Sequence, residues 1–245
     1  MRGGTELWDE LAARYRIVTE GPWRRNARIW PGKRLESQIF SSSSLENVHD
    51  MGAFSIIRAG ASIGGLRLGR FSAIGAGFVC APPEHPTDSI GSSSVFLKPY
   101  PWTEGGAGDA GFYAVPPSGR RLETAVVEVG SDVWIGRDVY VRGGVRIGDG
   151  AIVAARSVVV RDVPPYAVMA GVPARQVRDR FAEGVVADLL ALRWWDLDPA
   201  WMAAVDQTRV EECVAYLKAE RDRLAPLRPW EVVFDAEGYR AGRMG

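Results

Sequence analysis

Residues Val127–Val163 read VEVGSDVWIGRDVYVRGGVRIGDGAIVAARSVVVRDV. Stepping by six from Val129 gives Val129, Ile135, Val141, Ile147, Val153 and Val159, every one aliphatic and β-branched. Four places after each stand Val133, Val139, Val145, Ala151, Ser157 and Val163, which are small or β-branched, and glycine directly follows the aliphatic residue at Gly130, Gly136 and Gly148. An α-helix cannot use this spacing, because six steps at 3.6 residues per turn rotate a side chain by about 240° and scatter the apolar positions around the axis. Short strands joined by tight corners can. Each hexad then forms one side of a prism, its aliphatic residue points inward onto the equivalent residue of the next coil, and glycine supplies the corner. Three hexads make one coil of a hexapeptide-repeat β-helix.

The same step runs earlier through Ile39, Leu45, Met51, Ile57 and Ile63, then resets after a one-residue deletion to Leu68, Ile74 and Cys80. In phase with this repeat, Ser41–Ser44 reads as small residues at corners rather than as a linker. Between the two periodic sets, residues 81–124 are rich in Pro, Gly and Ser and carry no period, which marks a loop excursion from the prism and a candidate site builder. The expected organisation is an N-terminal helical or irregular cap at 1–38, the β-helix at 39–163, and a helical extension at 164–245. Helices are expected over Thr5–Tyr15, Ala182–Trp195 and Val210–Leu224, covering coils that would otherwise expose core.

Thirty basic residues balance thirty acidic ones, so no net charge points to nucleic acid or a membrane surface. Cys80 and Cys213 form no CxxC and no Cys/His cluster, which signals neither a disulfide framework nor a zinc site. Charges interrupt the N-terminal residues, and no apolar run reaches membrane-spanning length. A cytoplasmic protein with a small, uncharged or sugar-like partner is the expectation.

The stretch from Val127 to Phe181, with DVWIG, AARSVVVRD and GVPAR in order, resembles the closing coils of the hexapeptide-repeat acyltransferases. Gly69–Asp88 (GRFSAIGAGFVCAPPEHPTD) and Leu190–Leu197 (LALRWWDL) are similar to the xenobiotic acetyltransferase branch, which includes streptogramin and type B chloramphenicol acetyltransferases. That resemblance implies a left-handed parallel β-helix, a homotrimer, acetyl-CoA as cosubstrate in a groove between neighbouring chains, and transfer of acetyl to a hydroxyl of a sugar, polysaccharide precursor or natural product such as an antibiotic. It further implies His85 as catalytic base, Trp134 beside the thioester arm, backbone contact at Ala155, a polar groove residue at Arg137, and Arg161, Arg175 and Arg178 near the nucleotide phosphates. Glu84 stands where many relatives carry Asn.

The chemistry agrees with that assignment. A hydroxyl attacks a thioester slowly unless its proton is removed as the new bond forms, and a neutral imidazole near its own pKa does this at neutral pH. The chain has two histidines. His85 lies on the Pro-flanked run Pro82-Pro83-Glu84-His85-Pro86, whereas His49 falls at a corner position of the repeat. Glu84 or Asp88 is a candidate to orient the imidazole. Two readings compete with this one. A non-catalytic β-helix scaffold or binding module would bind no CoA and would not need His85. A γ-type carbonic anhydrase would need three zinc-binding histidines, more than this chain has.

Overall fold

The computed structural model describes residues 4–26, 30–97 and 125–244. It is a parallel β-solenoid whose short strands stack into three walls. Wall A is built from Ile17–Thr19, Ile39–Ser41, Ile56–Ile57, Ala73–Ile74, Trp134–Ile135, Ile152–Val153 and Ala167–Gly171. Wall B holds Arg34–Glu36, Val48–Met51, Leu66–Leu68, Val127–Val129 and Arg146–Ile147, and wall C holds Ser62–Ile63, Val79–Cys80, Tyr140–Val141 and Val158–Val159. The chain visits the walls in the order B, A, C, so one circuit takes three hexads. Residues 98–124 of the expected excursion lie outside the described residues.

The inward columns follow the six-residue step. On wall A, Ile57, Ile74, Ile135 and Val153 are in register; on wall B, Met51, Leu68, Val129 and Ile147; on wall C, Ile63, Cys80, Val141 and Val159. All but the half-buried Ile63 are at most 5% exposed. Each such aliphatic side chain contributes about 1.5–3 kcal/mol on burial, and no sheet edge is left open between coils. The chain leaves the prism after Cys80 and is in wall B again at Val127, which pairs with Leu66, so the wall keeps its register.

Four expectations change. The glycines after the column residues do not take the left-handed conformation; that falls two residues later on Asp132, Asp138 and Gly150. Their role is close approach, since a Cβ on Gly136 would stand 2.5 Å from Ala155 N, and one on Gly148 would stand 2.5 Å from Pro165 N. In the first coil the wall A column position belongs to Ser41, which pairs with Ile57, while Ile39 sits opposite Ile17. Ser41 and Ser43 are therefore buried structural groups; Ser43 Oγ donates to Arg58 O at 2.8 Å and accepts from Ala61 N at 2.9 Å, tying two coils together. His49 lies within the strand Val48–Met51, at the register shift between Val48 and Asp50, and not at a corner. The one-residue deletion before Leu68 shortens the facing strand, and His49 is the residue left over.

The outer faces differ. Wall B carries a row of alternating charge, Arg34, Asp50, Arg67, Glu128 and Arg146, residue opposite residue. Wall A instead presents Phe40, Ile56, Ala73, Trp134, Ile152 and Val168 in one outward row.

Helix α1 (Gly4–Tyr15) buries Trp8 and Leu11 against the first coil. Helices α2 (Glu183–Leu192) and α3 (Val210–Glu220) close over Trp195 and Trp201 in a second core. The extension also contains the hairpin Trp230–Phe234 and Tyr239–Arg243, whose first strand pairs antiparallel with Arg34–Glu36 at the open edge of wall B. Two arginines fasten the extension to the corner between walls B and A. Arg70 binds Glu36 at 2.7 Å and Asp196 at 2.9 Å, and Arg180 binds Asp132 at 2.8 Å and Gly150 O at 2.6 Å. Burial raises the Asp132 pKa, and Arg180 opposes the shift.

Candidate functional site

The loop that carries His85 leaves the prism at the corner between walls C and B, one residue after Cys80. Ala81 makes that turn with φ at +45° and is fully buried. Burial pushes the neighbouring Cys80 thiol up to about 12, so it is a packing group and not a nucleophile. His85 itself is exposed, and its ring is fixed by one contact: Nδ1 lies 2.6 Å from the carbonyl oxygen of Ser92. A carbonyl oxygen can only accept, so Nδ1 carries a proton, and in the neutral ring Nε2 is the nitrogen with the free lone pair. The orienting group is thus a backbone carbonyl seven residues on, which no side-chain pattern in the sequence could signal. Glu84 is exposed and makes no hydrogen bond or ion pair among the described residues.

Trp134 sits on the outer face of wall A, 57% exposed, between Ala73 and Ile152 of the adjoining coils. The outward row continues through Val168 to Arg178 on the strand Ala174–Asp179, which extends wall A beyond the last coil. Arg175 is on that same strand, opposite Ala170. Arg137 and Ala155 occupy successive levels of the corner between walls A and C, where Arg156 N donates to Arg137 O at 2.8 Å. Arg161 follows the last strand of wall C and lies on the corner from which the His85 loop departs, two coils further along. All four arginines are exposed.

Trp134, Arg175 and Arg178 therefore share one side of the prism, with Arg137 and Ala155 at its edge. Arg161 lies at the corner opposite that wall, from which the loop carrying His85 departs. Among the described residues no hydrogen bond or ring contact joins His85 to Trp134. His49 belongs to neither group; burial, then the charges of Arg67 and Lys33, hold its imidazole below the ordinary value. Among the described residues no three His, Cys, Asp or Glu side chains are grouped to hold a metal ion, and no helix is long and apolar enough to cross a membrane.

A solenoid of hexads with this loop and these corner residues defines a class, and the comparisons narrow it. The family described as bacterial transferase hexapeptide (six repeats) matches residues 127–161. A probable macrolide acetyltransferase of Lysinibacillus sphaericus is 37% identical over 134 residues, covering 54% of this chain and 69% of that one. A chloramphenicol acetyltransferase of Agrobacterium fabrum is 35% identical over 134 residues, covering 53% of this chain and 59% of the relative. Another, from Morganella morganii, is 43% identical over 68 residues, covering 28% and 32%. This chain belongs to the hexapeptide-repeat acyltransferases, in their xenobiotic acetyltransferase branch. It spans less than two thirds of the length of those two chloramphenicol acetyltransferases. Among solved structures, a maltose O-acetyltransferase from Clostridium difficile 630 matches with a TM-score of 0.48 at 20% identity, over 73% of this chain and 87% of that one, a likeness too distant to bear on function.

Proposed function

We propose that this protein is an acetyl-CoA-dependent O-acetyltransferase, cytoplasmic and active as a homotrimer, with His85 as general base. The observation that carries the reading is the Nδ1 contact of His85 with the Ser92 carbonyl at 2.6 Å, which leaves Nε2 as a proton acceptor on an exposed loop. Acetyl-CoA would supply the activated acyl carbon. His85 Nε2 takes the proton of the acceptor hydroxyl as its oxygen bonds to that carbon, and returns the proton to the departing sulfur, so the imidazole begins and ends neutral. Loss of such a base costs about 10²–10⁴-fold in rate.

The division of candidate residues between opposite sides of the prism supports a site shared by two chains. The outward row of wall A is apolar, as a surface covered by a neighbour requires, whereas wall B is charged and suited to water. A threefold ring repeats one such contact three times and closes on itself. In that arrangement Trp134 flanks the thioester arm, Ala155 offers backbone pairing, Arg137 lines the groove, and Arg161, Arg175 and Arg178 meet phosphates through charge-assisted hydrogen bonds. No metal is required. The acceptor is a hydroxyl of a sugar or natural product, in keeping with relatives named for chloramphenicol, macrolide and galactoside acetylation.

The test is release of free thiol from acetyl-CoA by the purified protein against a panel of hydroxylated sugars and antibiotics, with His85→Ala alongside. Turnover with at least one acceptor, cut by about 10²–10⁴-fold in the variant while CoA still raises its melting temperature, is the expected result. No turnover with any acceptor together with no CoA-induced shift would leave the scaffold reading in its place.

A further inference from the structure

At the far edge of the prism from the His85 loop, the C-terminal end of α1, the first B/A corner and residues 225–230 enclose a cleft of about 780 Å³. Arg14, Arg16, Arg228 and Arg243 line it, against one carboxylate, Asp198. That carboxylate is engaged as a cap, accepting Ala200 N at 3.0 Å. Arg14 is held by Glu10 at 2.9 Å, and Arg243 lies over the Trp230 ring at 5.4 Å and donates to Arg228 O at 3.4 Å. The guanidinium groups of Arg16 and Arg228 make no hydrogen bond or ion pair among the described residues.

This concentration stands out against the rest of the chain. Thirty basic residues face thirty acidic ones overall, and wall B sets each of its arginines opposite a carboxylate. Among the described residues, four arginines line this one concavity, and its one lining acid already accepts a cap hydrogen bond. Phe54 and Trp230 contribute apolar wall, and low-dielectric walls around like charges focus the potential inward. The volume lies within the range of small-molecule sites, roughly 300–1,000 Å³.

We propose that this cleft binds a diphosphate group, free or carried by a nucleotide. Two unpaired guanidinium forks match two phosphoryl groups, each fork taking two oxygens, while Arg14 and Arg243 are pre-positioned by Glu10 and Trp230. The site is separate from the CoA groove of the proposed activity, because it lies on the corner between walls B and A and includes neither His85 nor Trp134.

The experiment is calorimetric titration of the full chain at low salt with sodium pyrophosphate and with ADP, repeated on Arg178→Glu, a position in the proposed CoA groove and outside this cleft. Saturable binding of one equivalent per chain that Arg178→Glu leaves unchanged is expected, weakened at least about tenfold in Arg16→Glu and in Arg228→Glu. Arg16→Lys, which keeps charge but loses the fork, should weaken it less than Arg16→Glu. Binding of pyrophosphate alone assigns the cleft to the free anion; tighter binding of ADP assigns it to a nucleotide. Both substituted positions are exposed, and an unchanged circular dichroism spectrum checks the fold. Absence of saturable binding, affinity unmoved by both reversals, or an equal loss in Arg178→Glu would overturn the proposal. The two reversals decide it whether or not the chain acetylates any acceptor.

Discussion

Gly136→Ala tests the stacking of coils most sharply. The added methyl would stand 2.5 Å from Ala155 N, 2.8 Å from Ala155 Cα and 3.1 Å from Ala154 C, all backbone of the next coil. Relief requires the coils to part by roughly 1 Å, since carbon contacts are at rest near 3.5 Å or more. That movement strains Gly136 N to Val153 O at 2.8 Å and Arg156 N to Arg137 O at 2.8 Å. Weakening two such bonds costs about 2 kcal/mol, overpacking adds about 1–3 kcal/mol, and the stiffer unfolded chain returns about 0.4–1 kcal/mol. The net expectation is a loss of about 3 kcal/mol. Gly184→Ala is the control: it lies in α2 with nothing within 4 Å of the added atom and no left-handed φ, so it should gain about 0.5–1 kcal/mol. Urea unfolding followed by far-ultraviolet circular dichroism measures both. A Gly136→Ala protein as stable as its parent would refute the close-approach role assigned to the corner glycines.

Three further outcomes follow from the same contacts. Arg70→Ala strands Glu36, which is 13% exposed, and releases the extension at Asp196; it should cost about 3 kcal/mol, whereas Arg146→Ala on the exposed pair with Glu128 should cost about 0.5 kcal/mol or less in the same unfolding assay. Lys33 is buried, donates to Leu45 O at 2.7 Å, and has its pKa lowered by burial from 10.5 to about 8. Between these values the unfolded chain binds the extra proton, so stability should rise with pH by about 3 kcal/mol across the window and fall again as pH drops through about 8. Lys33→Met should flatten that slope, read as the urea midpoint at several pH values, and an unchanged slope would exclude Lys33 as its source. Cys80, fully buried with its thiol pushed up to about 12, should resist an aromatic disulfide reagent in the native state and react at the rate of unfolding; prompt labelling would show the column open at wall C.

Much of the solenoid was legible because a six-residue step admits one structure: Val129, Ile135 and Val141 cannot share a helix face, and the walls place them in three columns. What escaped was set by contacts between distant segments. The bulge at His49 exists because the facing strand Leu66–Leu68 is one residue shorter, a fact about two strands and not one. Ser41 fills a core position because the first coil is registered by Ile17 opposite Ile39. The hairpin after Pro229 was hidden because its strand is defined by the open edge at Arg34–Glu36, nearly two hundred residues away in the chain. Within the candidate site, His85 and Trp134 carried local signals, a Pro-flanked imidazole and a large ring among stacked aliphatics. The Ser92 carbonyl carried none, since every residue type offers the same oxygen. Nor could spacing alone reveal that the loop bearing His85 leaves the corner opposite the wall that carries Trp134.

That opposition supplies the most direct measurement. His85→Ala and Trp134→Glu chains, each inactive alone, should be unfolded together, refolded at equal ratio and assayed for acetyl transfer. If His85 of one chain works against Trp134 of the next, random assembly restores intact sites to about one quarter of the wild-type number, and activity should recover to that level. If each chain builds its own site, no assembly contains an intact one, and a mixture no more active than its two parents would contradict the shared site.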